Sequence, residues 1–190
     1  MLVRRLLAQE CMTRVAATLA PLAFVLLHAN PASAETRGKA AFDADAAIAL
    51  APRRVSSLLG GALRLGVEFD AKLVSLTPEV GASYHGFSGD LGPGALRGFG
   101  GARLALGAVV RPGIYVHGGY AQVTYDRATV GAPASRSAPT WDGGLSLDLT
   151  VLPVIDLGLH AGYTVVLASR DEAGDALHWL AVGAHLAIVF

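Results

Sequence analysis

Residues 62–70 read ALRLGVEFD. Leu63, Leu65, Val67 and Phe69 take every second position, and Arg64, Gly66, Glu68 and Asp70 fill the positions between. Successive side chains of a strand point to opposite faces, so this stretch has one apolar face and one charged face. A helix, with its 3.6-residue period, would wind the two sets together and leave neither face uniform. The stretch predicts a strand over 62–71 that separates an apolar environment from a polar one.

Seven further segments repeat the pattern. The first covers about 41–51, with Phe42, Ala44, Ala46, Ile48 and Leu50 on one face and Asp43 and Asp45 on the other. The third covers 76–87, with Leu76, Val80, Ala82 and Tyr84 against Glu79, Ser83 and His85; Pro78 should lie near its start, because proline cannot donate to a ladder. The fourth covers 96–109, with Leu96, Ala102, Leu104, Leu106 and Ala108 against Arg97 and Arg103. The fifth covers 114–124, with Ile114, Val116 and Tyr120 against Tyr115 and His117. The sixth covers 140–151, with Trp141, Leu145, Leu147 and Leu149 against Asp142, Ser146, Asp148 and Thr150. The seventh covers 155–167, with Ile155, Leu157, Leu159, Tyr163 and Val165 against Asp156, His160 and Thr164. The eighth covers 177–190, with Leu180, Val182, Leu186, Ile188 and Phe190 against Trp179, Gly183 and His185.

The connections alternate in length. Those after even strands are short, at 72–75, 110–113 and 152–154. Those after odd strands, at 52–61, 88–95, 125–139 and 168–176, are longer and rich in Gly, Ser, Pro and charge. Short turns at one end and long loops at the other are the pattern of a transmembrane barrel. On the apolar face, Tyr84, Tyr120, Trp141 and Tyr163 fall toward the long-loop end, and Phe42, Phe69 and Phe190 toward the short-turn end. Two such aromatic bands are expected where a barrel crosses the two interfaces of a bilayer.

Composition agrees. The chain is 53% hydrophobic and 16% charged, against about 25% charged for a soluble domain. Beyond the N-terminal region no apolar run approaches the ~20 residues of a membrane-spanning helix. Only helices and closed barrels satisfy every backbone group inside lipid, so a hydrophobic chain without such helices points to a barrel. The 23 glycines oppose long helices, since each interior Gly costs about 1 kcal/mol relative to Ala. Fifteen basic residues balance fifteen acidic ones, and no basic run suggests nucleic acid.

The N-terminus reads as an export signal. Arg4, Arg5 and Arg14 precede the apolar run 15–27, and Ala32-Ser33-Ala34 is a small-x-small cleavage site. The cut is placed between Ala34 and Glu35, leaving residues 35–190 as the mature domain. Met12 to Ala34 makes a complete signal on its own, so the start is either Met1 or Met12. The run is too short for a membrane anchor. Arg4-Arg5 lacks the neighbours of a twin-arginine signal, and Cys11 does not follow a lipobox. Cys11 is the chain's one cysteine, so the mature domain has no disulfide or thiol chemistry.

The C-terminal stretch LAVGAHLAIVF (180–190) places Val182, Ala184, Leu186, Ile188 and Phe190 at alternate positions and ends on an aromatic residue. With it, the whole of 35–190 resembles the small eight-stranded outer-membrane β-barrel proteins of the OmpA/OmpX type. The resemblance implies an all-β, antiparallel, up-and-down transmembrane barrel in a bacterial outer membrane, with both mature termini periplasmic. It also implies that strand 182–190 is read by the barrel-insertion machinery. The rival is a soluble eight-stranded barrel such as a lipocalin, which would turn the Leu/Val face inward. The aromatic bands, the loop asymmetry and Phe190 favour the membrane barrel.

The polar face carries Asp43, Asp45, Glu68, Asp70, Glu79, Asp142, Asp148 and Asp156 with Arg64, Arg97 and Arg103. An eight-stranded barrel has room inside for side chains and little else, so these groups are expected to plug the lumen as a salt-bridge network. A small channel is the alternative. His160 and His185 stand at similar heights, and with Asp148, Asp156 or His117 they would have the composition of a metal site, although histidines that only hydrogen-bond are commoner. Ser83, His85 and Ser88, with Asp90 beyond, are the one grouping that suggests a lipid-acting barrel enzyme. No catalytic residue, cofactor or metal is assigned. Loops 125–139 and 168–176, where Arg127, Arg136 and Arg170 alternate with Asp126, Asp171, Glu172 and Asp175, are the expected contact surface. The expected partners are outer-membrane lipid and lipopolysaccharide, with the chain acting as a monomer.

Overall fold

The alternating segments do form eight strands, and they close. In a computed structural model they run β1 (Glu35–Ala51), β2 (Val55–Asp70), β3 (Val74–Gly89), β4 (Pro93–Leu106), β5 (Val110–Tyr125), β6 (Ser135–Leu152), β7 (Ile155–Val166) and β8 (Leu177–Val189). Each is antiparallel to the next, and β1 pairs with β8 to seal the barrel. The structure describes residues 35–51, 55–89, 93–125, 135–167 and 176–190. The export-signal reading and loop residues Asp90, Asp126, Arg127, Arg170, Asp171, Glu172 and Asp175 lie outside the described residues.

Most strands are longer than the alternation suggests. β1 starts at Glu35 rather than 41, because the polar run from Thr36 to Lys39 pairs with Gly66–Phe69. β2 begins at Val55 rather than 62, which turns most of the expected loop 52–61 into strand. β5 begins at Val110, with Arg111 and Pro112 paired to Asp148 and Leu147. The mouth of a barrel continues the ladder where the apolar face has already ended, so hydrophobic alternation under-reads strand length. Pro78 is the fifth residue of β3. Pairing toward β2 lapses between Leu76 and Glu79, while Pro78 pairs with Ala102 on its other side.

The turns carry their own chemistry. Lys72 sits at φ 71°, and its amide donates to Asp70 Oδ1 at 2.7 Å. Gly107 sits at φ 110°, a region that side chains avoid, and its amide donates to Leu73 O at 2.9 Å across neighbouring turns.

The apolar face points outward. Leu63, Leu65 and Leu147 are 64%, 62% and 47% exposed, while Arg64 and Asp148 beside them are buried. A soluble barrel would require the reverse. On β2 the outward apolar set runs from Leu59 to Phe69. The ten steps from Leu59 to Phe69, at ~3.3 Å each and tilted by about 40°, cover roughly 25 Å along the barrel axis, the height of a transmembrane apolar band.

The aromatic bands hold with one correction. Trp141 meets Tyr163 edge-on at 6.0 Å, and Tyr120 lies one strand further round on β5. Tyr84 pairs with Leu96, whose other partner, Gln122, is two residues from Tyr120. At the other end, Phe69 and Phe190 flank the start of β1, with Thr36 the partner of Phe69 and Gly38 bonded to the Phe190 backbone. Phe42 does not join them: it pairs with Leu186, four residues up the wall from Phe190. β1 starts at Glu35 rather than 41, which makes Phe42 its eighth residue and lifts it away from the strand's end.

Candidate functional site: the barrel lumen

Inward-facing charged and histidine side chains from all eight strands meet in the lumen. At the short-turn end, Glu68 of β2 and Asp156 of β7 gather three cations. Arg37 lies 2.8 Å from Asp70 and 3.3 Å from Glu68, and Lys39 lies 3.2 Å from Glu68 and 2.9 Å from Asp156. Arg111 bridges the same two acids, 3.2 Å from Glu68 and in close contact with Asp156. Thr150 Oγ1 donates to the other oxygen of Asp156 at 2.8 Å.

In the middle, Arg64 forks onto Asp43, with Nε and Nη2 each 2.7 Å from one oxygen, and reaches Glu79 with Nη1 at 2.8 Å. Such bidentate, charge-assisted pairs are among the strongest polar contacts a protein makes. Arg103 stands between Glu79 (3.7 Å) and Asp148 (3.5 Å), beneath the Tyr115 ring. His117 spans Glu79 and Asp142 at 2.8 and 3.1 Å, and Arg97 pairs closely with Asp142 while lying over Phe99. Asp45 Oδ1 bonds His160 Nε2 at 2.6 Å, and its Oδ2 lies 3.3 Å from His85 Nε2, off the line of a hydrogen bond. Arg37, Lys39 and Arg111 were missed by the strand limits read from sequence. They share the odd-number parity of Asp43 and Tyr115, so running the alternation past the last apolar residue finds them.

Above this network the lumen turns apolar. Ala47, Leu58, Ala95, Ala121, Val123, Ala138, Val166, Leu177 and Trp179 form a buried cluster at the long-loop end, with Phe87 packed against it. All lie on the inward face, where the sequence pattern marks Trp179 alone among them. Beneath the cluster is a cavity of about 60 Å³, reached by Asp45, His85, Arg97, His117 and His160.

No family model matches the chain, and no curated protein does. Solved structures do. Ail, the attachment invasion locus protein of Yersinia pestis, superimposes with a TM-score of 0.54 at 13% identity, covering 83% of this chain and 99% of that one. The N-terminal β-barrel domain of OprF from Pseudomonas aeruginosa gives 0.52 at 12% identity, covering 82% and 100%. The fold is that of the small eight-stranded outer-membrane barrels.

Within that barrel the residues singled out in the sequence separate. Ser83 and His85 are both buried in the lumen wall, but His85 turns to Asp45 and packs against Trp179 at 5.5 Å. Ser83 Oγ has no hydrogen-bond partner among the described residues, so the pair is not brought together as nucleophile and base. His160 and His185 do come together, their rings stacked 5.8 Å apart. Their third neighbour is Asp43 of β1, not Asp156 or His117, because closure of β1 on β8 brings the first strand beside the last. Asp148 touches His185 from the other side, at 3.1 Å.

The four lumen histidines share one more feature. Each pairs across the ladder with a glycine: His85 with Gly60, His117 with Gly101, His160 with Gly183 and His185 with Gly158. Tyr115 and Phe99 do the same with Gly144 and Gly81. A Cβ at Gly158 would come within 2.4 Å of His185, and one at Gly60 within 2.4 Å of His85. The rings lie flat on the neighbouring strand where it lacks a side chain, and this is how a narrow lumen holds them.

Proposed function

We propose that the chain is an integral outer-membrane barrel whose role is structural or surface-interacting, exercised through its long loops, with a lumen closed to solutes. Both mature termini lie in the periplasm. The chain acts as a monomer in contact with outer-membrane lipid and lipopolysaccharide, and its C-terminal strand 182–190 is the segment the insertion machinery reads. The observation that carries the reading is the inverted arrangement of the wall: apolar residues outward over a bilayer's height, paired charges inward, and an apolar cluster over the long-loop end. The ion-paired interior also counts against a channel, since an ion passing through would have to displace buried partners. Catalysis is not part of the proposal, because the His85 ring faces Asp45 and the Ser83 hydroxyl has no hydrogen-bond partner among the described residues.

The test is membrane fractionation with protease added to intact cells. The chain should sediment with outer membranes, shift its gel mobility on heating in detergent, and be cut within 125–139 only from outside. Recovery in the soluble fraction, or cleavage of that loop only after the periplasm is opened, would overturn the proposal. Unitary current steps in planar bilayers would remove the closed lumen.

A further inference from the structure

Three side chains of the middle lumen converge. One ligand atom each from Asp43 of β1, His160 of β7 and His185 of β8 lies within 4.8 Å of the other two. Each ring also turns one nitrogen to a carboxylate outside the trio. His160 Nε2 is 2.6 Å from Asp45 Oδ1, and His185 Nε2 is 3.1 Å from Asp148 Oδ1, off the line of a hydrogen bond. The second nitrogen of each ring, His160 Nδ1 and His185 Nδ1, is buried with no hydrogen-bond partner among the described residues. The His185 side chain is only 1% exposed. A buried polar atom left unpaired is costly, and two such atoms beside one carboxylate call for a common ligand.

We propose that Asp43, His160 and His185 bind one divalent transition-metal ion of the zinc class in the barrel lumen. The donor set selects the metal. Two imidazoles and a carboxylate suit zinc, nickel or copper, whereas calcium and magnesium take oxygen ligands. A metal-bound histidine nearly always hands its other ring nitrogen to a carboxylate or carbonyl, which fixes the ring and raises its basicity; Asp45 and Asp148 stand in that position.

Charge supports the ion as well. Among the described residues, the lumen's ion pairs involve eight carboxylates (Asp43, Asp45, Glu68, Asp70, Glu79, Asp142, Asp148, Asp156) and six permanent cations (Arg37, Lys39, Arg64, Arg97, Arg103, Arg111), with Asp45 paired to histidines alone. His117, with a carboxylate at each ring nitrogen, adds one positive charge, and the acidic excess that remains favours a cation. Donors of a tetrahedral zinc site stand roughly 3.4 Å apart, so closure draws these atoms together by about an ångström or somewhat more. Arg64 counts against a cation at Asp43, yet its fork uses one lone pair on each oxygen and leaves the others free.

The experiment uses the protein extracted from membranes in detergent, stripped with chelator, and titrated with zinc by equilibrium dialysis and with cobalt by visible absorption. One equivalent of zinc and tetrahedral cobalt bands are expected. His160→Gln and His185→Gln should each weaken binding about tenfold or more, and His178→Gln, whose ring meets Tyr163 instead, should not. No binding by the wild-type chain at micromolar zinc, or binding that survives both substitutions, overturns the proposal. If the glutamine variants fail the heat-shift test for folding, Asp45→Asn decides: it keeps all three ligands, and a loss of about 10–100-fold supports the site. Unchanged affinity in Asp45→Asn refutes it.

Discussion

At the scale of single residues, the lumen depends on what is missing as much as on what is present. His185 lies where Gly158 has no Cβ; an added methyl would come within 2.4 Å of Cε1, 2.5 Å of Nε2 and 2.9 Å of Asp148 Oδ1. Neither neighbour can retreat, because the ring is packed against His160 and the carboxylate is faced by Arg103. Gly158→Ala should therefore destabilise the barrel by about 1–3 kcal/mol, as overpacking does. Gly118 meets nothing within 4 Å, and Gly118→Ala should stay within about 0.5 kcal/mol of wild type. Urea titration of folding into lipid vesicles measures both, and equal effects would mean that the histidine–glycine pairing is incidental. The histidines were visible in the sequence as inward groups. Their glycine partners were not, because that pairing depends on register between strands, which alternation within one strand does not carry.

At the scale of elements, side-chain facing was legible and strand length was not. Alternation placed Asp43, Arg64, Glu79, Arg103 and Asp148 inward, and all are buried. It cut β1 and β5 short because Arg37, Lys39 and Arg111 interrupt no apolar series; they continue only the polar one. It also gave no hint of the apolar cluster around Leu58, Val123 and Leu177, since apolar residues on both faces look like lost alternation. The short turns show how local strain is distributed. Lys72 holds a left-handed backbone at φ 71° with help from Asp70, and Gly107 occupies φ 110° with Val110 O 2.4 Å from where a Cβ would be. Lys72→Gly should stabilise by about 0.5–1 kcal/mol, as relief of left-handed strain in an L-residue. Gly107→Ala should destabilise by about 1–3 kcal/mol. The two turns are hydrogen-bonded neighbours, so opposite signs in the same refolding assay would locate the cause in the backbone rather than in the surrounding membrane.

At the scale of the whole molecule, the fold inverts the usual order of a domain, and the cost of a charge should follow depth in the bilayer rather than distance from a core. Leu65 and Leu73 are 62% and 67% exposed, nearly equal by accessibility. Leu65 sits mid-way along the outward series from Leu59 to Phe69, and Leu73 sits in the turn between β2 and β3. In water, Arg at either position would be almost free, as at any exposed site. In a bilayer, Leu65→Arg should cost about 2–4 kcal/mol and Leu73→Arg about 0–1 kcal/mol. The lumen sharpens the comparison: Arg64, one residue away, is buried and stabilised by Asp43 and Glu79, so the same side chain is favourable facing in and costly facing out. Folding free energies in vesicles and in a detergent micelle separate the effects. The difference between Leu65→Arg and Leu73→Arg should shrink in the micelle, which deforms around the charge. A difference near zero in vesicles would mean that the apolar wall faces something other than lipid.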